Sequence, residues 1–496
     1  MLSAVQVFLP GVLDTLNPLL SRTAAARAVA ALAFPGLVAR RDGRFAPSLA
    51  ANWSTSDGLT WTFHMDRQRR WQDGAAVTSA DVAYTLGLVR AADSPVDPAI
   101  RQAWQGIHDV APDADTVILT VTANVGATVL DLATLPILPA HLLAASPVST
   151  LALLPFSSHP VGSGSYRVVA ADSQSATLAL AAPDDLAPRR VVIAMTSGIS
   201  DTMTTVATPS AANVEPAAGS VRLMTSGDSA AGAAVVSAAL ARPVFVFLNI
   251  RDATLSDVRV RQALNLAINR QTLIAGPLHA AAVALTGAFS PGQSETVGAA
   301  DIAPPSVAAA AATLQQDSWV SGGTWRVRQG VPLAVTLLVD DDPGRLAVAQ
   351  AIAGDWQAVG VQTTVEAVGL DGLLRDFAAP GRFQAALLGV QQRGALPDLA
   401  TLWHSGGSLN ISGWSDPPAD AAIDATRAAD RDTAHAGYLA FAQRFADQLP
   451  AIPLYLPTAR YAVQGVLLPI GRRNTQLAIN DPADILRNVA QWRAAP

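Results

Sequence analysis

LAVTLLVDDDPGRLAVAQAIAGDWQAVGVQTTVEAV, residues 333–368, decides the fold class. Leu333 to Val339 is an apolar-rich run of strand length. From Gly344 to Val359, Leu346, Ala349, Ala353 and Trp356 fall at helical spacing. Gln362 to Val368 reads as a strand again. A strand, a helix and a second strand over so few residues form a β-α-β unit, which demands a parallel sheet with a right-handed crossover. Asp340-Asp341-Asp342 lacks the glycine and distal glutamate of a calcium loop, so it reads as a solvated cap before the helix.

The same alternation extends outward. Upstream, Val244 to Ile250 is an apolar run of strand length. Asp257 caps a helix with Val260, Ala263, Leu264, Ala267 and Ile268 on one stripe and Arg259, Arg261, Gln262 and Asn265 opposite. Leu59 to Met65 alternates apolar and polar residues with the period of a half-buried strand. Thr78, with Asp81 three residues on, caps a helix carrying Val82, Leu86 and Val89. Thr116 to Thr122 and Tyr166 to Ala170 read as strands. Tyr438, Phe441, Phe445 and Leu449 line a helix, and Ile452 to Leu456 follows as a strand. Residues 197–241, rich in Ser, Thr, Ala and Gly, show weak periodicity and receive no assignment. The class is mixed α/β.

The bulk numbers set limits. At roughly 150 residues per domain, 496 residues make about three compact units or two large lobes. No apolar run reaches the ~18 residues of a membrane-spanning helix; the best, Ala24 to Val38, is broken by Arg27 and Pro35. A formal net charge of −6 argues against a general nucleic-acid binder, which needs a basic face for phosphates. All 33 basic residues are Arg, so lysine Schiff-base and P-loop chemistry is excluded, and without Cys so are thiolate nucleophiles and Cys-based zinc sites.

The search for catalytic groups finds none. His64, His108, His141, His159, His279, His404 and His435 include no pair at i,i+3 or i,i+4 spacing. Gly162-Ser163-Gly164-Ser165 has no third glycine at dinucleotide spacing and leads into a strand, so it reads as a turn. No catalytic residue, metal set or cofactor is expected.

Several segments, in order, carry a resemblance. Asp14-Thr15-Leu16-Asn17-Pro18 resembles "tLdP", Pro47 to Trp53 "P-x-LAe-x-W", and Asp57 to Phe63 "DGltytF". Asp73-Gly74 through Val82 resembles "hDG-x-p-x-TAeDV", and Val161 to Tyr166 "iGtGPY". Asp257 to Leu264 is similar to "d-x-rVRqAl", Asn410 with Gly413-Trp414 and Asp420 to "N-x-x-gy-x-n-x-x-xD", and Pro450 to Tyr455 to "PxiPly". Together they resemble the large peptide- and nickel-type (family 5) solute-binding proteins of ABC importers, from Asp14 to about Tyr461.

The resemblance implies a two-lobed periplasmic-binding-protein fold with a subdomain inserted in lobe I and the ligand between the lobes. The expected boundaries are 1–40, 160–250 and 460–496 for lobe I, 41–159 for the subdomain and 251–459 for lobe II. It further implies a monomer outside the cytoplasm that captures a peptide or other small polar solute by hinge closure. The expected partners are the solute and the permease subunits of an ABC importer, with no nucleic acid. Met1 to Leu20 lacks the pattern of a secretory signal; because the family's mature chains begin at the strand before "tLdP", the signal peptide is read as already removed.

The resemblance also nominates site residues. A "GW-x-xD" segment, whose Asp meets a peptide's ammonium in peptide-binding relatives, aligns with Gly389-Val390-Gln391-Gln392-Arg393. The aromatic position is Val390 and the acidic one Arg393. A second acidic position aligns with Arg22. Arg22 and Arg393, if they face the cleft, suit a carboxylate, phosphate or hydroxyl-rich ligand rather than an ammonium; otherwise they pair with nearby acids or meet solvent. Gln391 and Gln392 suit a sugar or amide, Asn249 lies where the chain is expected to cross between lobes, and His404 beside Trp403 is the candidate contact for a metal chelate. The alternatives are an anionic, oligosaccharide or metal-chelate ligand in the same fold, a hydrolase or transferase acting on a polar substrate, and a degenerate relative serving as a receptor or chaperone subunit.

Overall fold

The computed structural model describes residues 3–10, 12–41, 44–57, 59–96, 100–101, 104, 107–113, 115–121, 129–182, 187–196, 219–224, 233–290, 293, 300–390, 392, 399–426, 431–468, 485–486, 489 and 492–494. The chain divides into two compact units, residues 1–238 with 459–496, and residues 239–458. It therefore passes between them twice, at 238/239 and at 458/459.

In the first unit, the Ala4–Pro10 strand runs parallel to both Arg190–Thr196 and Gly219–Met224. Outward from Arg190–Thr196, Ser175–Leu180 and Tyr166–Ala171 add antiparallel strands. On the other side, Gly219–Met224 pairs with Arg460 to Gln464. The Ala24–Ala33 helix buries Ala25, Ala26, Ala28, Val29, Ala30, Leu32 and Ala33, and Thr23 caps it by accepting from the Ala26 N–H. Its last carbonyl accepts from the amides of Ser163 and Gly164. A Cβ on Gly162 or Gly164 would lie 2.2 or 2.3 Å from a backbone oxygen of Ala33 or Leu32. The Gly-Ser-Gly turn is thus a close-packing device at a helix end.

The same unit contains a separate antiparallel sheet, in the order Ala50–Thr55, Thr60–Met65, Thr116–Val121, Ile107–Asp113. The Ser79–Arg90 helix covers it and opens with the capping box read from the sequence. Asp81 is buried and accepts from the Thr78 and Ala140 amides and the Trp71 indole. Around it Phe63, Trp71, Val82, Leu86 and Leu119 form one apolar core.

The second unit is built on the sheet Gln362–Ala367, Ala334–Val339, Ala385–Gly389, Val244–Leu248, Ala451–Gln464. The first three strands are parallel and Val244–Leu248 is antiparallel to both its neighbours. The Pro343–Ala358 helix supplies the crossover expected from residues 333–368. Val244–Leu248 was expected in lobe I. Its ladder with Ala385–Gly389 makes it an interior strand of the second unit, so the first crossing comes earlier than 250.

The structure adds to the sequence reading at three places. Arg261 and Asn265, on the face opposite the apolar stripe, are nonetheless buried at 2% exposure. Arg261 donates to the carbonyls of Leu255, Ser256 and Gln448, capping the end of the Arg431–Gln448 helix. Within 197–241, Gly219–Met224 and Ala234–Ala239 are strands, whereas 197–218 lies outside the described residues. The strand read as Ile452 to Leu456 runs from Ala451 to Gln464.

His279 and Ala280 take φ of 47° and 59°, a left-handed conformation that strains residues with a Cβ. Ala280→Gly is therefore expected to stabilise the protein by about 1 kcal/mol, read as a raised urea midpoint with unchanged slope. Asp73 gives a pH prediction. Burial raises its carboxyl, but hydrogen bonds from His141 and the Ala75 amide outweigh that and leave it below its ordinary value. A depressed carboxyl stabilises the fold above about pH 4 and ceases to do so as pH falls through its folded value. Asp73→Asn should be less stable than wild type at pH 7, and urea midpoints should show the gap closing below about pH 4.

Candidate functional site

The register of the second unit's sheet sorts the candidate residues. Val244 pairs with Gly389 and Leu248 with Ala385. Val390 therefore follows one end of the ladder and Asn249 the other, about 15–20 Å apart at the rise of a strand. The sequence reading grouped them around one ligand; the structure puts them at opposite ends of one sheet.

At the Asn249 end, the side chain is 5% exposed and fully engaged. Its Nδ2 donates to the carbonyls of Gly381 at 3.0 Å and Phe383 at 2.7 Å, and its Oδ1 accepts from the Arg251 amide and Nε. An amide has two donors and two acceptor lone pairs, so nothing remains for a solute. Arg251 continues the latch by donating to the Ile411 carbonyl. A Cβ on Gly381 or Gly413, both at positive φ, would lie 2.5 or 2.6 Å from its side chain.

His404 belongs to the loop tied to this end, through the Ile250 amide on the Ser412 carbonyl. Its Nδ1 accepts from the Gly406 amide at 3.0 Å and lies 3.9 Å from Asp420, while Nε2 lies 3.9 Å from Asp424. The two carboxylates face opposite ring nitrogens and do not converge on one point. Trp403 beside it stacks on Phe247 at 5.6 Å within the core.

At the other end stand the carboxyl ends of the parallel strands, where open α/β sheets bind their ligands. Val390 is half-buried against the core and its amide donates to Pro243. Gln392 is buried and its amide donates to Ala241. Leu240 donates to Pro457, so both chain crossings lie at this end. Gln391 and Arg393 lie outside the described residues.

Three residues at this end were missed. Asp340, which ends the Ala334–Val339 strand, is 3% exposed and not a solvated cap. Its carboxylate takes Arg345 Nε at 2.7 Å and Nη2 at 2.6 Å. Only Asp342 performs the capping role, accepting from the Arg345 amide. Tyr455 pairs with Val244 across the ladder and is 3% exposed. Burial drives its phenol well above the ordinary range, with Asp342 and Asp340 raising it and Arg345 lowering it. The run of three aspartates was the one visible signal, and its composition alone does not separate a buried member from a capping one.

In the first unit, the Arg22 amide donates to Asp14 Oδ2 at 2.9 Å and the Thr23 hydroxyl to Oδ1, closing the loop after Asn17. The Arg22 side chain is exposed. A recess of about 360 Å³ beside it is lined by Ser21, Arg27, Arg69 and Ser163 to Ser165.

The profile of the bacterial extracellular solute-binding proteins, family 5, middle part, matches residues 44–412. The chain belongs to this family. The periplasmic oligopeptide-binding protein OppA of Escherichia coli K12 is 41% identical over 49 residues, 10% of this chain and 9% of that protein. The match thus spans about a tenth of the curated relative's length. The unliganded open form of the periplasmic murein tripeptide binding protein MppA superposes with a TM-score of 0.78 at 18% identity, covering 98% of this chain and 96% of that one. A nickel ABC transporter protein from Bacillus halodurans gives 0.76 at 17% identity over 96% and 99%. NikZ from Campylobacter jejuni, in complex with Ni(L-His), gives 0.65 at 19% identity over 99% of both chains. At such identities the likeness is one of fold, and that fold is the two-lobed α/β architecture of binding proteins. Among the described residues, no helix is long and apolar enough to cross a membrane.

Asn249→Ala should unfold with about 2–3 kcal/mol less stability, because it orphans the part-buried Gly381 and buried Phe383 carbonyls and releases Arg251. Chemical denaturation measures this; an unchanged midpoint would show that the latch carries no weight.

Proposed function

We propose that this protein is the extracytoplasmic solute-binding component of an ABC importer. It captures a peptide or other small polar solute by closure of its two units and delivers it to the permease, without making or breaking a covalent bond. The observation that carries this reading is the family match over residues 44–412, supported by fold matches that cover nearly the whole chain. The two chain crossings fit a hinge, since two connections permit rotation while restricting slip. The protein acts as a monomer and binds no nucleic acid.

The choice of solute is a second question. Val390 and Arg393 stand where peptide-binding relatives are expected to carry an aromatic and an acid. Arg393 facing a peptide ammonium would repel it in a site where water screens poorly. This favours a solute without a free amine at that position. Arg22 and Gln392 remain as contacts in this reading, and Gln391 with them. Val390 contributes apolar surface, Asn249 serves as a positioning residue and His404 lies in a separate loop.

Small-angle scattering and tryptophan fluorescence test the reading on the purified chain with trialanine, acetyl-trialanine amide, maltotriose and nickel with histidine. One class should reduce the radius of gyration and shift the emission, and calorimetry should show acetyl-trialanine amide binding at least as tightly as trialanine. Tight binding of trialanine alone would remove the argument from Arg393. No compaction with any of the four, and no small molecule copurifying in native mass spectrometry, would remove the capture reading.

A further inference from the structure

The carboxyl end of the second unit's sheet holds a charged set that the resemblance did not nominate. Asp340, Asp342 and Arg345 meet at the end of the Ala334–Val339 strand. Val339 pairs with Leu387, and the Ala385–Gly389 strand ends two residues later. Gly389 is opposite Val244, which is opposite Tyr455. The register thus brings Asp340, Arg345, Val390 and Tyr455 to one end of four neighbouring strands.

Two features give this corner a defined chemistry. Asp340 grips the Nε–Nη2 edge of the Arg345 guanidinium, and the Nη1 edge has no partner among the described residues. The Tyr455 hydroxyl belongs to a side chain more than nine-tenths buried and has no hydrogen-bond partner among the described residues. That hydroxyl is not one of the enclosed polar atoms left without a partner, so a guest oxygen can take the place of water at it. Around these donors, Asp340, Asp341 and Asp342 outnumber the one guanidinium. The corner is net negative while its free hydrogen-bonding groups are donors.

We propose that Arg345 and Tyr455 form a subsite for an uncharged oxygen of the solute, an amide carbonyl or a sugar hydroxyl, and that the aspartates around them exclude a carboxylate or phosphate. This rests on the solute-capture reading above and narrows it. Arg345 is a fixed donor here, since Asp340 neutralises it and sets its plane. Where the sequence suggested an anionic solute from Arg22 and Arg393, this end of the sheet selects against one.

The test compares wild type, Tyr455→Phe and Asp342→Asn by calorimetry with acetyl-trialanine amide, maltotriose and succinate. Tyr455→Phe removes one oxygen and keeps the packing; Asn retains the helix cap while removing one charge. Thermal melts confirm that each variant is folded. One neutral probe should bind wild type, and Tyr455→Phe should weaken it by about five- to tenfold, the effect of one lost hydrogen bond. Succinate should fail to bind wild type and gain affinity in Asp342→Asn. Neutral-probe affinity unchanged by Tyr455→Phe, or succinate binding wild type more tightly than either neutral probe, overturns the subsite and leaves solute capture standing. Failure of every probe to bind any folded variant overturns the subsite; the absence of compaction and of a copurifying molecule removes the capture reading separately.

Discussion

The antiparallel pairing of Val244–Leu248 between Ala385–Gly389 and Ala451–Gln464 is the constraint on which the second unit depends. All five residues of that strand are buried, and they alternate between two cores. Val244, Val246 and Leu248 join the core beneath the Pro343–Ala358 helix, while Phe245 and Phe247 join Trp403, Phe441 and Phe445 on the other face. A one-residue slip would exchange every side chain between two cores of different shape, so the register is pinned from both sides. That register decides which candidate residues can share a ligand. Asn249 and Val390 cannot both touch one small ligand, because the strands are antiparallel and the two residues leave the ladder at opposite ends.

Charge is handled in two different ways within this framework. Arg261 and Arg270 are buried and satisfied mainly by carbonyl oxygens and the Asn265 side chain. Burial lowers both to about 10, with Asp257 partly offsetting the effect at Arg261, so both stay charged at neutral pH. They hold segments together: Arg261 joins residues 255–256 to the end of the last helix, and Arg270 reaches Pro453. Arg345 differs in having a carboxylate partner on one edge and, on the Nη1 edge, no partner among the described residues. A cation satisfied on every side is a fastener, whereas one gripped on a single edge still has directed donors to offer.

Much of the fold was legible because period and caps are local. The capping box at Thr78 and Asp81, the cap at Asp257 and the β-α-β unit of 333–368 each depend on neighbouring residues, and each occurs where its pattern predicts. The misreadings share a cause of the opposite kind. Arg261 looks like a solvent-facing residue until the Gln448 carbonyl, far along the chain, arrives to receive it. Asp340 looks like its two neighbours until strand geometry turns it inward and Arg345 closes over it. Asn249 looks free to meet a ligand until the 381–383 segment claims its amide. Each time, a polar residue was assigned from its own neighbourhood and its partner came from elsewhere.

The same logic gives meaning to a basic complement made entirely of arginine. An ammonium group offers three donors from one point, and a carboxylate gripping it from one side leaves no defined plane for a second partner. A guanidinium presents separate edges, so Asp340 can hold one while another points away at a fixed angle. Beside it, the Tyr455 phenol stays protonated far into alkaline pH because burial disfavours its charged form, and so remains a donor. Both donors are preorganised, and among the described residues neither has a competing partner when a solute oxygen arrives. The neighbouring aspartates fix the geometry and set the sign of the field together. One local arrangement thereby holds the hydrogen-bond donors in place and tells an uncharged oxygen from an anionic one.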